Sequence, residues 1–400
     1  MSLQKPIKVH YITFLIGFAQ MYAWATTYYL PATLLKIVPI ETGQSSIAII
    51  GGFSWALLIG GLCAPKIGRW IEHEGGRRPL AAGSLLMGLG LIVLSQTSSL
   101  IIWYLAWTLI GLGMALGLFN ATFAALGRLL GQSAKTIIIR VTLISGFATV
   151  FWPITTYLID TFGWRIMAII YAIPHLILWA PLFFCTFPST VPDHEEHKQE
   201  EERLIPEKIK LVFYLLALYA IIRAIVGTTV SVDILALFTG LGLTLSTAAL
   251  SASFIGPAQI LGRILEMYFG QNFDPLKSSI FWTAVLPLSI ILLLILGPPA
   301  TKVFAIAYGM SNGVLTITMG ILPMILFGSK GYASLLGKLA LPVLIAQAAT
   351  PILVDPLLKH LSANTIFTMA GILGLVSLIC LVILTQTFHK NKTVATNKKH

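Results

Sequence analysis

Long apolar runs broken by short clusters of charge dominate the chain. They fall near residues 10–34, 46–65, 79–98, 100–127, 141–159, 166–187, 211–232, 245–262, 278–298, 303–327, 339–354 and 361–388. A helix needs about 20 such residues to cross a hydrocarbon core of about 30 Å. Twelve crossings are therefore predicted. The stretch from Pro79 to Gly127 carries no charge over 49 positions, so it is divided into two spans with a turn near Thr97–Leu100. The eleventh run is short, and Lys338 and Asp355 at its ends have to snorkel. A β-barrel is excluded, because barrel strands alternate over about ten residues and these runs are continuous. The first run is free of charge from Val9 to Leu35, 27 residues, which is too long for a cleavable signal segment and long enough to span.

Composition agrees with this pattern. Of the 400 residues, 56% are hydrophobic and 10% charged, with mean hydropathy +0.87. A soluble globular chain carries about 25% charge. The charge here is too sparse to cover a water-facing surface, which excludes an ordinary soluble enzyme, a fibrous protein and a disordered chain. Cys63, Cys185 and Cys380 all lie in apolar runs, so no disulfide framework is expected. The net charge of +11 invites a nucleic-acid partner, but its placement argues against one. With the N-terminus inside, the inner segments hold 21 Lys and Arg residues, while the outer loops hold 4: Lys36, Arg165, Lys302 and Lys359. That asymmetry puts both termini in the cytoplasm and makes the positive charge a collar at the inner face.

One segment breaks the pattern. Residues 188–209, PSTVPDHEEHKQEEERLIPEKI, hold seven of the fifteen acids and read as a cytoplasmic acidic linker. His194 and His197 within it offer a weak metal pair, but a solvated charge run is the simpler reading, and no metal is expected. The chain also repeats at about half its length. Gly68-Arg69-x-x-Glu72 recurs as Gly262-Arg263-x-x-Glu266, Gly113-Met114-x-x-Gly117 as Gly309-Met310-x-x-Gly313, and Arg140 with Pro153 as Lys338 with Pro351, at offsets of 194, 196 and 198. The expected organisation is an N-terminal six-helix bundle (1–187), the linker (188–209), a C-terminal six-helix bundle (210–389) and a basic tail (390–400). The repeat relates the bundles by a pseudo-two-fold axis along the membrane normal.

Twelve spans, a 6+6 repeat, an acidic middle loop and the basic loop Gly68-Arg69-Trp70-Ile71-Glu72-His73-Glu74-Gly75-Gly76-Arg77-Arg78 resemble the major facilitator superfamily. Its signature runs G-x-x-x-D-R-x-G-R-R. Here Glu72 stands for the Asp and His73 for the Arg, and one residue is inserted before Arg77-Arg78. Gly163-Trp164-Arg165 is also typical, and Trp24-Ala-Thr-Thr-Tyr28-Tyr29-Leu-Pro31 is similar to a group of bacterial members. The resemblance implies an all-α fold of two rocking bundles, alternating access to a cavity lined by spans one, four, seven and ten, and a bacterial inner membrane. It also implies an inner gate at the signature loop, with Arg69, Glu72, Arg77, Arg78 and Arg128 as the gating set. Glu72 is expected to pair with Arg77 or Arg128 and to face the N-terminus of a neighbouring helix, where negative charge is favoured. The glycine-rich GLGMALG (111–117) lies inside an apolar span with no strand before it, so it reads as close helix packing and not as a dinucleotide loop.

Charge inside the membrane marks function by default. Only Arg223 lies well away from both ends of its span, 13 residues after Lys210 and 10 before Asp233. These separations are about 19 and 15 Å along a helix. A guanidinium there offers fixed donors suited to a carboxylate or phosphate. The competing reading is a structural pair with Asn120 or Asp233. Deep acids are absent, since Asp160, Asp233 and Asp355 lie toward outer ends. This favours an organic-anion substrate over a cationic drug. Asp233 and mid-span His175 are the proton-coupling candidates, although a hydrogen-bonded structural role competes for His175. Gln20, Trp24, Tyr28, Asn120, Tyr219 and Asn312 complete the expected substrate-binding set. The amides of Asn120 and Asn312 stand out because mid-membrane amides need partners.

The reading that follows is a proton-coupled secondary transporter of a small organic anion or polar metabolite, functional as a monomer in lipid, with no cofactor and no nucleic acid. The alternative is a proton-driven exporter of drugs or siderophores. No HExxH, GxSxG, CxxC or phosphate-binding loop supports an enzyme, and the tails are too short for the added domain of a nutrient sensor.

Overall fold

A computed structural model describes residues 6–188, 207–269 and 273–397. The acidic linker with His194 and His197 lies outside these, as does the chain beyond Asn397. The described residues are helical, with no strand among them. In chain order the helices are α1 (Pro6–Ala23), α2 (Pro31–Thr42), α3 (Ser46–Glu74), α4 (Arg77–Ser95), α5 (Leu100–Gly117), α6 (Phe119–Leu130), α7 (Ala134–Ser145), α8 (Phe151–Phe162), α9 (Trp164–Pro174) and α10 (Ala180–Thr186). They continue as α11 (Glu207–Gly240), α12 (Leu245–Ser253), α13 (Ile255–Phe269), α14 (Pro275–Leu296), α15 (Thr301–Phe327), α16 (Tyr332–His360) and α17 (Ala363–Asn397).

Ten stretches among the described residues are long and apolar enough to cross a membrane. One of them, Leu100–Phe162, has 63 residues, about three core thicknesses at 1.5 Å per residue. It turns at Gly131, whose φ of +56° suits a residue without Cβ, and so holds two passes. With the first apolar run these make up the twelve crossings expected from the sequence. Polar starts are capped as the residues dictate. Ser45 accepts from Ala48 N–H (3.2 Å), Ser99 from Ile102 N–H (3.4 Å), and Asp274 from Leu276 N–H (2.9 Å) ahead of Pro275.

Several helices are longer or more broken than the apolar runs suggest. α3 and α16 each have 29 residues, because the chain stays helical past Lys66 and through Lys338 after it leaves the purely apolar stretch. The first span is broken. Trp24–Tyr28 forms a turn of π-helix, with Tyr29 N–H reaching the Trp24 carbonyl, and Pro31 starts α2. The fourth span breaks at Leu118, whose extended backbone (φ −81°, ψ −170°) separates α5 from α6. The fifth narrows to a 3₁₀ segment at Gly146–Val150 just before Pro153, and the sixth carries a second π turn, His175–Trp179, directly after Pro174.

The helices form two compact units. Of the described residues, the first takes 6–188 together with Phe327–Ala349, and the second takes the remainder, 207–269, 273–326 and 350–397. Trp103, Trp107 and Trp164 are fully buried in the first unit, and Trp103 Nε1 donates to the Ile49 carbonyl at 3.0 Å to tie α5 to α3. Gly113 and Gly117 let α5 lie against Met87 of α4, which is the packing role read from GLGMALG. In the second unit Phe238, Phe304 and Phe367 form the fully buried aromatic centre, with the last two ring centroids 5.3 Å apart. Large apolar residues such as Leu288, Ile295 and Ile372 are exposed on the outside of the helices, as a lipid-facing surface requires.

Candidate functional site

The second unit holds the deep charge. Arg223 projects from α11 to Asn312 on α15, with Nη2 donating to Asn312 Oδ1 at 3.1 Å. Its other terminal nitrogen, Nη1, is buried and has no partner among the described residues. Arg223 and Asn312 line a cavity bounded also by Thr283 and Leu286 of α14, Tyr308, Ser311 and Leu315 of α15, and Gly374 and Ser377 of α17. Two of the sequence candidates thus meet directly. Within its unit, Arg223 bonds Asn312 and not Asp233. Tyr219 does not line the cavity. It is fully buried behind it, with its hydroxyl 3.2 Å from Thr283 Oγ1, and so holds a wall residue in place. Tyr308 bonds the Gly227 carbonyl at 3.4 Å, and Ser311 donates to the Trp282 carbonyl at 2.6 Å.

Ser377 was not singled out from the sequence. It is 2% exposed, and its hydroxyl has no partner, whereas a helical serine ordinarily bonds a carbonyl of the preceding turn. The only sequence signal for it is a hydroxyl in the apolar stretch Leu373–Leu378. The cavity offers about 30 Å³ to the centre of a water molecule, room for one or two waters, so an organic ligand enters only when the lining parts. Asp233 lies ten residues beyond Arg223 on α11 and is half-buried.

The first unit gathers a separate group. Gln20 on α1 is 1% exposed, and its Nε2 donates to the Gly117 carbonyl (2.5 Å) and to Thr122 Oγ1 (2.8 Å). It therefore satisfies the carbonyl that the break at Leu118 releases, while its Oε1 stays unpaired. Trp24 packs on Phe119 (4.8 Å between centroids) and on Tyr28 (4.7 Å), and Tyr28 meets Phe53 (5.3 Å). Trp24 Nε1 is buried without a partner. Asn120, in the first turn of α6, is exposed. The unpaired groups of Gln20 and Trp24 thus sit around the span-four break.

His175 is fully buried and lines no cavity found among the described residues. Its Nε2 lies 2.9 Å from Thr26 Oγ1, and Thr26 donates its own proton to the Tyr22 carbonyl at 2.8 Å. The ring must then donate from Nε2, leaving Nδ1 as a bare acceptor. The Tyr22 ring lies 5.0 Å from the imidazole. This is the hydrogen-bonded structural arrangement, and it clasps the two π turns together.

The signature loop departs from the expected ion pair. Glu72 Oε2 accepts from the Ala333 backbone N–H at 2.9 Å, at the start of α16. Its carboxylate thus sits on a helix N-terminus, as the sequence led us to expect, but it takes this hydrogen bond and not one from Arg77 or Arg128. Arg128 Nε donates to the Glu72 backbone carbonyl at 2.9 Å. Arg77 donates to the Phe184 carbonyl and lies over that residue's ring, 4.8 Å from its centroid. Arg78 pairs with Glu74 at 3.1 Å on the surface, and Arg69 is exposed. Close packing brings Glu72 within reach, because a Cβ on Gly68 would overlap the Ala333 carbonyl and one on Gly337 the Ala64 carbonyl. Among the described residues no cluster of metal-ligating side chains occurs.

The fold is similar to that of known transporters. The human organic anion transporter MFSD10 (TETRAN) superposes with a TM-score of 0.72 at 14% identity, covering 94% of this chain and 100% of the other. The proton:xylose symporter XylE, bound to 6-bromo-6-deoxy-D-glucose, gives a TM-score of 0.72 at 14% identity, covering 94% and 95%. A variant of the E. coli fucose:proton symporter FucP gives 0.71 at 12% identity, covering 94% and 99%. No curated protein matches the chain in sequence. The family model of the Major Facilitator Superfamily matches residues 12–340, and the chain belongs to that superfamily, whose members are multi-pass membrane transporters and not enzymes.

Proposed function

We infer that this secondary transporter carries a small organic anion across a bacterial inner membrane by alternating access, coupled to a proton. One observation carries the reading: Arg223 holds a buried guanidinium nitrogen that no group among the described residues satisfies, at the edge of a cavity. An uncompensated buried charge costs several kcal/mol, and an anionic substrate offsets that cost each time it binds. The neighbours in fold are an organic anion transporter and two sugar symporters by name. At 12–14% identity they share the fold only, and it is the guanidinium that supports an anion over a sugar in this reading. A neutral sugar leaves it unpaired.

Asp233 carries the coupling proton in this reading, since it shares α11 with Arg223, and His175 serves the packing of the first unit. The remaining site residues of the first unit, Gln20, Trp24, Tyr28 and Asn120, contribute hydrogen bonds and ring faces to the substrate's passage. Glu72, held by the Ala333 N–H, latches α3 to α16 at the cytoplasmic end, and Arg69, Arg77, Arg78 and Arg128 shape the loop around it.

The test is uptake of a panel of organic acids into proteoliposomes, with and without an imposed pH gradient. Arg223→Ala should lower anion uptake by about thirtyfold or more, and Asp233→Asn should remove the response to the gradient. Equal anion uptake by Arg223→Ala and parent sinks the reading. Stabilisation of the purified protein by lipophilic cations alone selects the exporter alternative.

A further inference from the structure

We propose that the Arg223 cavity is a monocarboxylate site with a short apolar chamber, in which Ser377 donates a second hydrogen bond to the ligand; this rests on the reading of Arg223 as the substrate's anchor. Two buried polar groups in this cavity lack protein partners, Arg223 Nη1 and Ser377 Oγ. They come from α11 and α17, which pack against each other. Asn312 presents Oδ1 to Arg223 and so turns its amide hydrogens the other way. The unmet capacity of the site is donor capacity, which an ionised carboxylate with its four lone-pair positions satisfies.

The rest of the lining sets the charge and the body of the ligand. Among the described residues no acid and no second cation lines the cavity. One guanidinium balances one negative charge. Ile222, Val226, Leu286 and Leu315 supply the apolar part of the lining. The second carboxylate of a diacid would face these side chains with nothing to pair it, which is heavily penalised away from water. A phosphate monoester brings about −1.5 to −2 charges against a single cation. A sugar finds too few polar groups along apolar walls and leaves Arg223 unpaired. A carboxylate on a short hydrocarbon body meets each of these conditions.

Ser377 is also open to a clean test. Its hydroxyl has no partner, so Ser377→Ala removes an unsatisfied group and should leave the ligand-free protein as stable as the parent or more so. Binding should suffer instead, by about tenfold for a lost hydrogen bond to a charged ligand, and Ser377→Thr should restore part of it. The probes are acetate, propionate and butyrate, against succinate, glycerol phosphate and xylose, read as thermal stabilisation of purified full-length protein and as uptake into proteoliposomes. We expect butyrate or propionate to bind at least about tenfold tighter than the other classes, in parent and not in Arg223→Ala. If succinate binds as well as butyrate and both depend on Arg223, the anchor stands and the monocarboxylate assignment falls. Butyrate affinity unchanged in Ser377→Ala, or a ligand-free Ser377→Ala that melts below the parent, removes Ser377 from the site. If butyrate binds Arg223→Ala and parent alike, the anchor reading itself fails.

Discussion

Two helix ends of this molecule share a motif and use it differently. Gly68-Arg69-x-x-Glu72 ends the second span, and Gly262-Arg263-x-x-Glu266 ends the eighth. Glu72 reaches 261 positions along the chain to the Ala333 N–H, while Glu266 accepts from Ser278 Oγ only 12 positions away, at 3.0 and 3.1 Å. The glycines diverge in the same way. Gly68 lies on the Ala333 carbonyl of α16, whereas Gly262 lies on the Met310 carbonyl of α15. Arg69 is exposed and Arg263 is 5% exposed. Duplication thus delivers a carboxylate and a small residue to the same point of each half, and the neighbouring helix decides what they do. In the first half they join a distant segment. In the second they finish the local bundle.

The sharpest way to break this contrast is to fill the glycines. Gly68→Val should open the α3–α16 contact and expose the cytoplasmic ends of both helices to thiol labelling, at a cost of about 1–3 kcal/mol to that state. Gly262→Val should cost a similar amount but appear as a lower melting temperature with labelling unchanged. If both variants only melt earlier, the two helix ends are equivalent and the contrast is wrong. Next come the acids. Glu72→Ala removes a charged acceptor from a backbone donor, worth about 1.5–3 kcal/mol, and should shift the population toward inward-open by about tenfold or more. Glu266→Ala should leave accessibility at the two faces unchanged. Labelling rates at cysteines placed at both ends of the spans report the outcome. The smallest effect is expected at the opposite end of the first unit, where Glu41 accepts from Trp164 Nε1 at 2.5 Å and from Arg165, which also reaches the Thr97 carbonyl at 3.2 Å. Both partners of that ion pair are partly exposed, so Arg165→Ala should lower stability by less than about 1 kcal/mol without altering inner labelling. A large gain in cytoplasmic accessibility from Arg165→Ala would show that the latch is not local to α3 and α16.

Apolar runs and charge asymmetry made the twelve crossings legible, because hydrocarbon forces long uninterrupted helices. The pairing of Arg223 with Asn312 was within reach for a related reason: a charge and an amide at mid-membrane depth both need partners, and both stood out against apolar sequence. Three other features were hidden. The donor expected for the Glu72 carboxylate was Arg77 or Arg128, but its partner is the Ala333 backbone N–H, a group almost every residue carries and no composition reveals. At the break at Leu118 the Gly117 carbonyl accepts from Gln20, almost a hundred positions earlier, as well as from the nearby Thr122. Ser377 matters because it lacks the bond a helical serine normally makes, and only coordinates expose a missing bond.

The two π turns, Trp24–Tyr28 and His175–Trp179, joined by Thr26 and His175, have a consequence for how their helices are dressed. A π turn works like one added residue, and one residue is about 100° of rotation. Everything above the insertion, including Tyr28 and Tyr29, is therefore swung onto a different meridian from the side chains below it. Excising one residue from Trp24–Tyr28 would rewind the outer third of that span by the same angle and carry its aromatic rings to the wrong side.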